Sequence, residues 1–505
     1  MWRAALGAPA ISAAAGDGTT TSPAVEPWLL PERRAGSARE TTVLAIAWSA
    51  AEPHRVGEVA LLDEDGAAQI LGRGAARLDD GHPRLAFVRQ RPWSSEACAP
   101  LEAPGISRRH LLLTARAIDR SIAFEQLGRA AVLHNGHEAK SGLAQPGDTL
   151  AIENQMVLFC TRRVLPLASP RHLRAADAAR FGVADADGIV GESAPIWALR
   201  EEIAFAGASP AHVLILGESG TGKELVAHAV HRASPRAAKK LLARSAVSFP
   251  ETLVDAELFG HARDYPNAGM PLREGLLGAA SGTSLFLDEI GELPHSLQAH
   301  LLRVLDAGGQ YHRLGETAAR QSDFRLIAAT NRPLGALKHD FAARLALRIR
   351  VPSLAERRED IPLLCRHLLD GIAARSPELC ARFAGTGANG ARFYRFAPSL
   401  IDELLRHPYA LHVRELGEIL WQSLRDSRGA LLQRSASDVR AAMASPAPVT
   451  TAPRRAEPTA DEIRAALAAQ RGNRSKAYLD LGLSSRYALR RLLKKYGIKD
   501  DGSDS

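Results

Sequence analysis

A chain of 505 residues is long enough for about three domains, each able to bury its own core. It is 46% apolar and 24% charged, as ordinary globular protein is, and its formal net charge of +8 allows nucleic-acid binding without requiring it. Cys98, Cys160, Cys365 and Cys380 have neither metal-ligand spacing nor the density of a disulfide framework, so they read as free thiols of a reducing cytoplasm. No run approaches the ~18 apolar residues of a transmembrane helix, which excludes a membrane span.

Residues 1–40 are rich in Ala, Gly, Ser, Thr and Pro without periodicity and read as a disordered leader. The opening apolar stretch is weak, carries one arginine and is interrupted by Pro9, so it does not read as a signal peptide. From 41 to 165 short apolar runs alternate with turn residues: 42–48, 58–62, 85–88, 110–114, 121–124 and 156–160. That rhythm predicts a β-sandwich. Its loops carry Leu71-Gly72-Arg73-Gly74, Gly105-Ile-Ser107-Arg108-Arg109-His110 and Asn135-Gly136. On these motifs the segment resembles a forkhead-associated (FHA) domain, which binds phosphothreonine peptides. The resemblance implies that Arg73, Ser107 and Arg108 hold the phosphate, that Asn135 orients the peptide backbone and that His110 braces the loop. A dianionic phosphate calls for a guanidinium with hydroxyl and backbone donors, so the residue types suit the role. The other reading is a sandwich that keeps them as turn formers and loop braces. The stretch Gln90–Pro104 reads as an insertion that lengthens the loop before Ser107.

Residues 166–187, rich in Ala and Arg, read as a linker with some helix. From 188 strands and helices alternate, the pattern of an open α/β domain. An apolar run, His212–Leu216, leads into Gly217-Glu218-Ser219-Gly220-Thr221-Gly222-Lys223-Glu224, and an amphipathic helix follows. Strand, glycine turn, lysine and helix is the context of a phosphate-binding loop: backbone N–H groups converge on phosphate oxygens and Lys223 reaches the outer phosphates. A glycine turn that binds nothing is the competing reading, and the flanking strand and helix count against it. Further on, Ser284-Leu-Phe-Leu-Asp288-Glu289 is an apolar strand ending in two carboxylates. There Asp288 can hold magnesium through water and Glu289 can polarise an attacking water.

With both motifs placed, the region from Ile189 to Trp421 resembles the AAA+ ATPase of bacterial enhancer-binding proteins, the activators of sigma-54 RNA polymerase. The resemblance rests on the loop itself and on Ala256–His261, Leu285–Pro294, Leu301–Leu305, Arg325–Asn331, Arg357–Ile361 and Val413–Leu416. It accounts for Glu224, the residue these activators ordinarily carry after the lysine. It implies ATP and Mg2+ as cofactors, an α/β subdomain over 188–352 and a helical lid over 353–425. It also implies a ring, hexameric in this family, in which neighbours complete each other's sites. By matched position Asp288 and Glu289 are the Walker B pair, Asn331 is the first sensor, and Arg414 is the second sensor arginine, reaching from the lid. Arg344 is an arginine supplied to the neighbouring subunit, while Lys338 stands where a second such arginine is expected and lacks its planar fork.

Three further positions depart from the family. Asp264-Tyr265-Pro266-Asn267-Ala268-Gly269 replaces the Gly-Ala-Phe-Thr-Gly-Ala loop that contacts sigma-54. Ser245 replaces the asparagine that couples Glu289 to nucleotide, and its shorter side chain predicts a different reach. Tyr409-Ala-Leu-His412 replaces an aromatic-Pro-Gly-Asn sequence. ATP binding and hydrolysis are therefore expected, with weakened coupling to sigma-54.

Residues 426–458 read as a second linker. Over 459–499 two short helices, a turn at Gly482 and a basic helix from Ser484 to Lys495 form a helix-turn-helix, similar to the Fis-type domain that ends most members of this family. About ten basic and three acidic side chains lie between Asp461 and Lys499. Ser485, Arg486, Tyr487 and Arg490 are expected to face the major groove, and Arg491, Lys494 and Lys495 to grip phosphate. An amphipathic dimerisation helix is the other reading. The domain order predicts a cytoplasmic regulator bound to DNA upstream of a promoter. A phosphothreonine protein or Ser/Thr kinase would trigger it, and its ring would act on RNA polymerase holoenzyme. The alternatives are a nucleotide-regulated DNA-binding protein independent of sigma-54, or an FHA adaptor with a vestigial ATPase.

Overall fold

The computed structural model describes residues 39–62, 66–74, 81–250, 253–306, 308–387, 390, 392–434, 460–469, 493 and 496. In the N-terminal third the strands are β1 (Arg39–Ser49), β2 (Val59–Leu61), β3 (Gln69–Leu71), β4 (Phe87–Arg91), β5 (Ser94–Ala97) and β6 (Leu111–Arg116). They continue with β7 (Ser121–Gln126), β8 (Val132–His134), β9 (His137–Glu138), β10 (Ser141–Ala144), β11 (Thr149–Ile152) and β12 (Met156–Leu165). They form two antiparallel sheets, ordered β5-β4-β2-β1-β12-β11-β8-β9 and β10-β7-β6-β3. Leu44, Ile46 and Leu158 of the first sheet meet Leu111, Leu113, Ile122 and Phe124 of the second in one core. A sandwich is therefore present.

Strand β1 is buried on both faces. Leu44 and Ile46 enter the core, and period-two alternation turns Val43, Ala45 and Ala47, also buried, the other way. There the lid helix Pro398–Arg406 packs against β1, β11 and β12.

Two expectations need correction. Gln90–Pro104 is not a single extended loop, because Gln90 and Arg91 pair with Ser95 and Ser94 in the β4–β5 hairpin. Apolar alternation failed to mark it because Arg89 pairs with Glu58 and Arg91 with Glu192, so polar partners hold the hairpin. The stretch 166–187 holds one 3-10 turn, Ala175–Asp177, and is otherwise irregular among its described residues. Carboxylates pin it: Glu201 accepts the N–H groups of Arg171, His172 and Leu173, and Glu192 accepts that of Gly182.

The next segment contains α1 (Ala194–Ala208), β13 (Val213–Leu216), α2 (Lys223–Arg232), β14 (Leu242–Ser245), α3 (Val254–Phe259), α4 (Gly275–Ala279), β15 (Ser284–Asp288) and α5 (His295–Asp306). A small hairpin, β16 (Gln310–Tyr311) with β17 (Arg320–Gln321), precedes β18 (Arg325–Thr330), α6 (His339–Arg344) and β19 (Leu347–Arg350). The parallel sheet runs β14-β15-β18-β13-β19. Helices cover both faces, so its strands read as unbroken apolar runs. Leu214, Leu285, Leu287, Leu326 and Ala328 face one core, and Val213, Ile215, Phe286, Ile327 and Ala329 face the other.

The lid begins with a 3-10 segment, Leu354–Asp360, whose entry Ser353 and Glu356 close as a capping box. It continues through α7 (Ile361–Arg375), α8 (Pro377–Ala381), a hairpin of β20 (Ala384–Thr386) and β21 (Arg392–Tyr394), α9 (Pro398–Arg406) and α10 (His412–Asp426). The hairpin departs from the all-helical expectation, and the Phe393 ring covering Gly385 explains why glycine stands there. The chain divides into two compact units, Met1–Glu418 and Ile419–Ser505. The second includes α11 (Ala460–Ala469). The expected DNA-facing residues Ser485, Arg486, Tyr487, Arg490, Arg491, Lys494 and Lys495 lie outside the described residues. Among the described residues no helix is long and apolar enough to cross a membrane, and the four cysteines are free thiols.

Within the first unit the sandwich is fastened to the α/β segment and the lid. Arg163 of β12 pairs with Glu359 at 3.0 Å, with the two side chains 2% and 7% exposed. Arg91 pairs with Glu192 at 2.6 Å, and Trp93 meets Trp197 edge-on at 5.5 Å. The Thr149 hydroxyl donates to Asp402 of α9, which also pairs with Arg406 at 2.5 Å.

Candidate nucleotide-binding site

The glycine loop lies between the C-terminal end of β13 and the N-terminus of α2, where a parallel sheet opens to a ligand. Gly220 and Gly222 take φ of +82° and +106°, values side chains rarely adopt, and Gly222 caps α2. The loop closes on itself: Thr221 Oγ1 donates to the Glu218 carbonyl at 2.8 Å. Lys223 Nζ donates to the carbonyls of Gly217 at 2.9 Å and Glu218 at 3.0 Å. Burial lowers the Lys223 pKa, and the carboxylates of Asp288 and Glu289 oppose the shift while Arg414 adds to it. Lys223 thus feels both carboxylates and the lid arginine, so these four side chains share one electrostatic environment.

Asp288 ends β15, and its Oδ1 accepts the Glu289 N–H at 2.9 Å. Glu289 has φ of +54°, uncommon for a residue with a side chain. Ser245 Oγ donates to Glu289 Oε2 at 3.4 Å, at the far limit of a hydrogen bond, as the shorter hydroxyl predicts. Gly217 donates its N–H to the Thr330 carbonyl at 3.3 Å, which sets Asn331, exposed just past β18, beside the glycine loop in the sheet. Arg414 Nη1 reaches Ser219 Oγ at 3.4 Å. Glu224 stands exposed in the first turn of α2. Arg344 of α6 is ion-paired with Asp306 of α5 and more than half exposed, so it faces solvent.

Asp264–Gly269 forms a turn closed on itself. The Asp264 carboxylate accepts the Gly269 N–H at 2.7 Å, and the Asp264 N–H bonds the Met270 carbonyl at 2.9 Å. The Tyr265 ring lies on Gly315, where an added Cβ would come within 2.4 Å of it.

In the sandwich, Arg73, Ser107 and Arg108 come together: Arg73 N–H bonds the Ser107 carbonyl at 3.2 Å, and the Arg84 guanidinium bridges the carbonyls of Arg73 and Arg108. His110 is fully buried and accepts the Ser107 N–H at Nδ1, so Nε2 carries the proton and donates to the Ala130 carbonyl. Burial holds its pKa low, as suits a neutral brace. Asn135 is engaged elsewhere, donating to Asp148 at 2.8 Å and accepting the Thr149 N–H at 3.0 Å.

The string Arg357–Ile361 does more in the structure than its sequence announces. Arg357 reaches the carbonyls of Val190 and Thr221, and Asp360 accepts both N–H groups of Glu192 and Ser193 and the Ser193 hydroxyl. The two adjacent carboxylates, Glu359 and Asp360, were the available signal.

A sequence-family profile described as "Sigma-54 interaction domain" matches residues 189–355, the segment bearing the glycine loop and the paired carboxylates. Over that segment the chain is similar to sigma-54 interaction domains. The chain is 45% identical over 194 residues to the DNA-binding transcriptional regulator NtrC of Klebsiella pneumoniae, a match covering 37% of this chain and 41% of that one. It is 40% identical over 236 residues to the transcriptional regulatory protein ZraR of Escherichia coli strain K12, covering 45% and 50%. The chain thus spans half or less of the length of these curated relatives. A crystal structure of NtrX from Brucella abortus in complex with ADP aligns with 62% of this chain and 70% of that chain, at 26% identity and a TM-score of 0.43. The matched segment ends at residue 355, just before Arg357–Ile361, whose side chains reach the lid and the sandwich. The sandwich lies outside the matched segment.

Proposed function

We propose that this protein is an ATP-dependent transcriptional regulator of the sigma-54-interacting type, held on DNA by residues 459–499 and governed by phosphothreonine recognition in its sandwich. The observation that carries the reading is the glycine loop itself, with Lys223 seated on its carbonyls and Arg414 reaching Ser219, inside the segment that matches the sigma-54 interaction domain profile. The loop fits a nucleotide: its glycines take conformations closed to side chains, and Lys223 rests on the loop carbonyls, free to transfer to phosphate. Asp288 would hold Mg2+ through water and Asn331 would contact the outer phosphate, while the metal would neutralise charge on the phosphates. Glu289 would take the proton of an attacking water, Arg414 would cover the phosphates from the lid, and Arg344 would serve a neighbouring subunit of a ring. Arg73, Ser107 and Arg108 would receive the phosphothreonine. Its source would be a protein modified by a Ser/Thr kinase, and occupancy would control the ring's action on RNA polymerase holoenzyme.

The closed Asp264–Gly269 turn favours a second reading, a nucleotide-regulated DNA-binding regulator that acts without sigma-54. Transcription with sigma-54 holoenzyme, with and without phosphothreonine peptide, separates the two. The first reading expects ATP-dependent open complexes that Lys223→Ala abolishes. ATP hydrolysis with no such complexes at any sigma-54 promoter overturns it and leaves the second.

A further inference from the structure

The lid meets the glycine loop through four consecutive residues. An added Cβ on Gly220 would lie 2.1 Å from the Leu411 carbonyl, so this approach requires glycine. Val413 donates its N–H to the Gly220 carbonyl at 3.2 Å, and Arg414 reaches Ser219. Between them stands His412, buried to 3%, with Nε2 at 3.1 Å from Glu218 Oε2. Its Nδ1 accepts the Leu354 N–H at 3.4 Å, which places the ring proton on Nε2, directed at the carboxylate. The backbone there has φ of +50°, a conformation His and Asn tolerate better than most residues. Glu218 is 69% exposed, so its carboxylate is tethered chiefly by this histidine at the mouth of a loop otherwise built to receive anions.

We propose that His412 is a positioning residue for nucleotide: it holds the Glu218 carboxylate against the lid, so that incoming phosphates do not meet an untethered anion on the loop. The inference rests on the nucleotide reading above and goes beyond it, since the sequence marked His412 only as a departure. Sign and size follow from the charges. Released, the carboxylate repels the polyphosphate, and the loop also loses one bond to the lid. The effect should grow with ligand charge, so ATP suffers more than ADP. Loss of a hydrogen bond to a charged group weakens binding on the order of tenfold.

The test uses the full chain and fluorescent ATP and ADP analogues, with His412→Asn, Glu218→Gln and the double variant. Asparagine tolerates the left-handed backbone but is too short to span the same distance to Glu218. His412→Asn should weaken ATP binding about five- to tenfold and ADP binding about two- to threefold, while in the Glu218→Gln background the same change should move ATP affinity less than about twofold. The KM for ATP should rise with kcat nearly unchanged. Equal losses in both backgrounds would show that His412 only shapes the lid, and unchanged ATP affinity in His412→Asn would show that it does nothing for nucleotide; either result overturns the proposal. Failure of the unaltered chain to bind either analogue overturns the nucleotide reading itself.

Discussion

Replacing Arg163 by alanine tests whether the sandwich is a fixed part of the first unit. Arg163 Nε bonds Glu359 at 3.0 Å and Nη1 bonds Gln90 at 3.1 Å, with both charged side chains almost wholly shielded. The pair itself adds little net stability, because desolvation of two ions offsets their attraction. Removing one partner is different: it leaves a buried carboxylate unpaired, a loss of about 3–5 kcal/mol. That is a large part of the ~5–15 kcal/mol that holds most domains together. Burial raises the Glu359 pKa, Arg163 opposes the shift, and Asp360 adds to it. A carboxyl whose folded pKa lies above its unfolded value binds more protons when folded, so stability falls as pH rises between the two values. Without Arg163 that interval widens. The cost of Arg163→Ala should therefore be greater at pH 8 than at pH 5, because acid favours the protonated Glu359. Urea unfolding followed by tryptophan fluorescence at both pH values measures this, because Trp93 and Trp197 lie across the same junction. Pairing Arg163→Met with Glu359→Leu should recover most of the loss. A cost below about 1 kcal/mol for Arg163→Ala, or a double variant as weak as the single, would refute the account of a buried paired charge.

Three further outcomes are expected. Gly220→Ala would force a Cβ onto the Leu411 carbonyl at a φ of +82°, so it should cost about 1–3 kcal/mol of stability and also weaken nucleotide binding, measured by thermal unfolding with and without ATP. His212 accepts the Leu326 N–H at Nδ1, and burial, helped by Arg325 and Arg236, lowers its pKa to about 4. A depressed folded pKa gives stability that is complete above the unfolded value and lost as pH falls toward the folded one, here about 2 kcal/mol by pH 5. The protection of the Val213–Leu216 amides against exchange, relative to the intrinsic rate at each pH, should fall accordingly below pH 6, and His212→Gln should flatten that dependence. His110→Ala would leave the Ser107 N–H and the Ala130 carbonyl without their ring partner, costing about 2–4 kcal/mol in sandwich stability and loosening any phosphothreonine peptide, measured by calorimetry.

The glycine loop and the paired carboxylates were legible because their chemistry is local: a phosphate cradle needs glycine, lysine and a helix start within eight residues, and the strands around it are apolar runs. The two-sheet sandwich was legible from alternation. What sequence did not show depends on polar side chains that meet across long separations. Arg163 and Glu359 lie 196 positions apart, and nothing in either neighbourhood marks them as partners. The β4–β5 hairpin was missed for the same reason, since arginines paired to distant glutamates occupy positions where apolar residues would have announced a strand. Asn135 illustrates a further limit. Matching its residue type to a binding pattern does not show that its amide also bonds Asp148 and Thr149 across the sheet.

The segment Arg357–Asp360 shows how four adjacent side chains can serve four elements. In an α-helix, neighbours one position apart diverge by 100°, but their reach is tied to a single axis. Here the helix is 3-10 in character and breaks at Arg357, whose φ and ψ are −136° and 37°. The side chains therefore fan apart. Arg357 turns to Val190 and the glycine loop at Thr221, Arg358 to the last carbonyl turn of α9 at Leu405, Glu359 to Arg163 of the sandwich, and Asp360 to the start of α1 at Ser193. A ligand on the sandwich shifts the nucleotide loop only if it interacts differently with two arrangements of the structure between them. This turn is a place where such a difference would act: a change in the seating of Arg163 bears on Glu359, and Glu359 is two residues from the arginine that holds Thr221. Helix α9 gives a second connection, since Thr149, bonded to Asn135, donates to Asp402 in the helix whose Leu405 carbonyl receives Arg358. The two routes meet in one turn, so substitutions at Arg163 and Thr149 should be non-additive in their effect on nucleotide affinity, whereas independent routes would add.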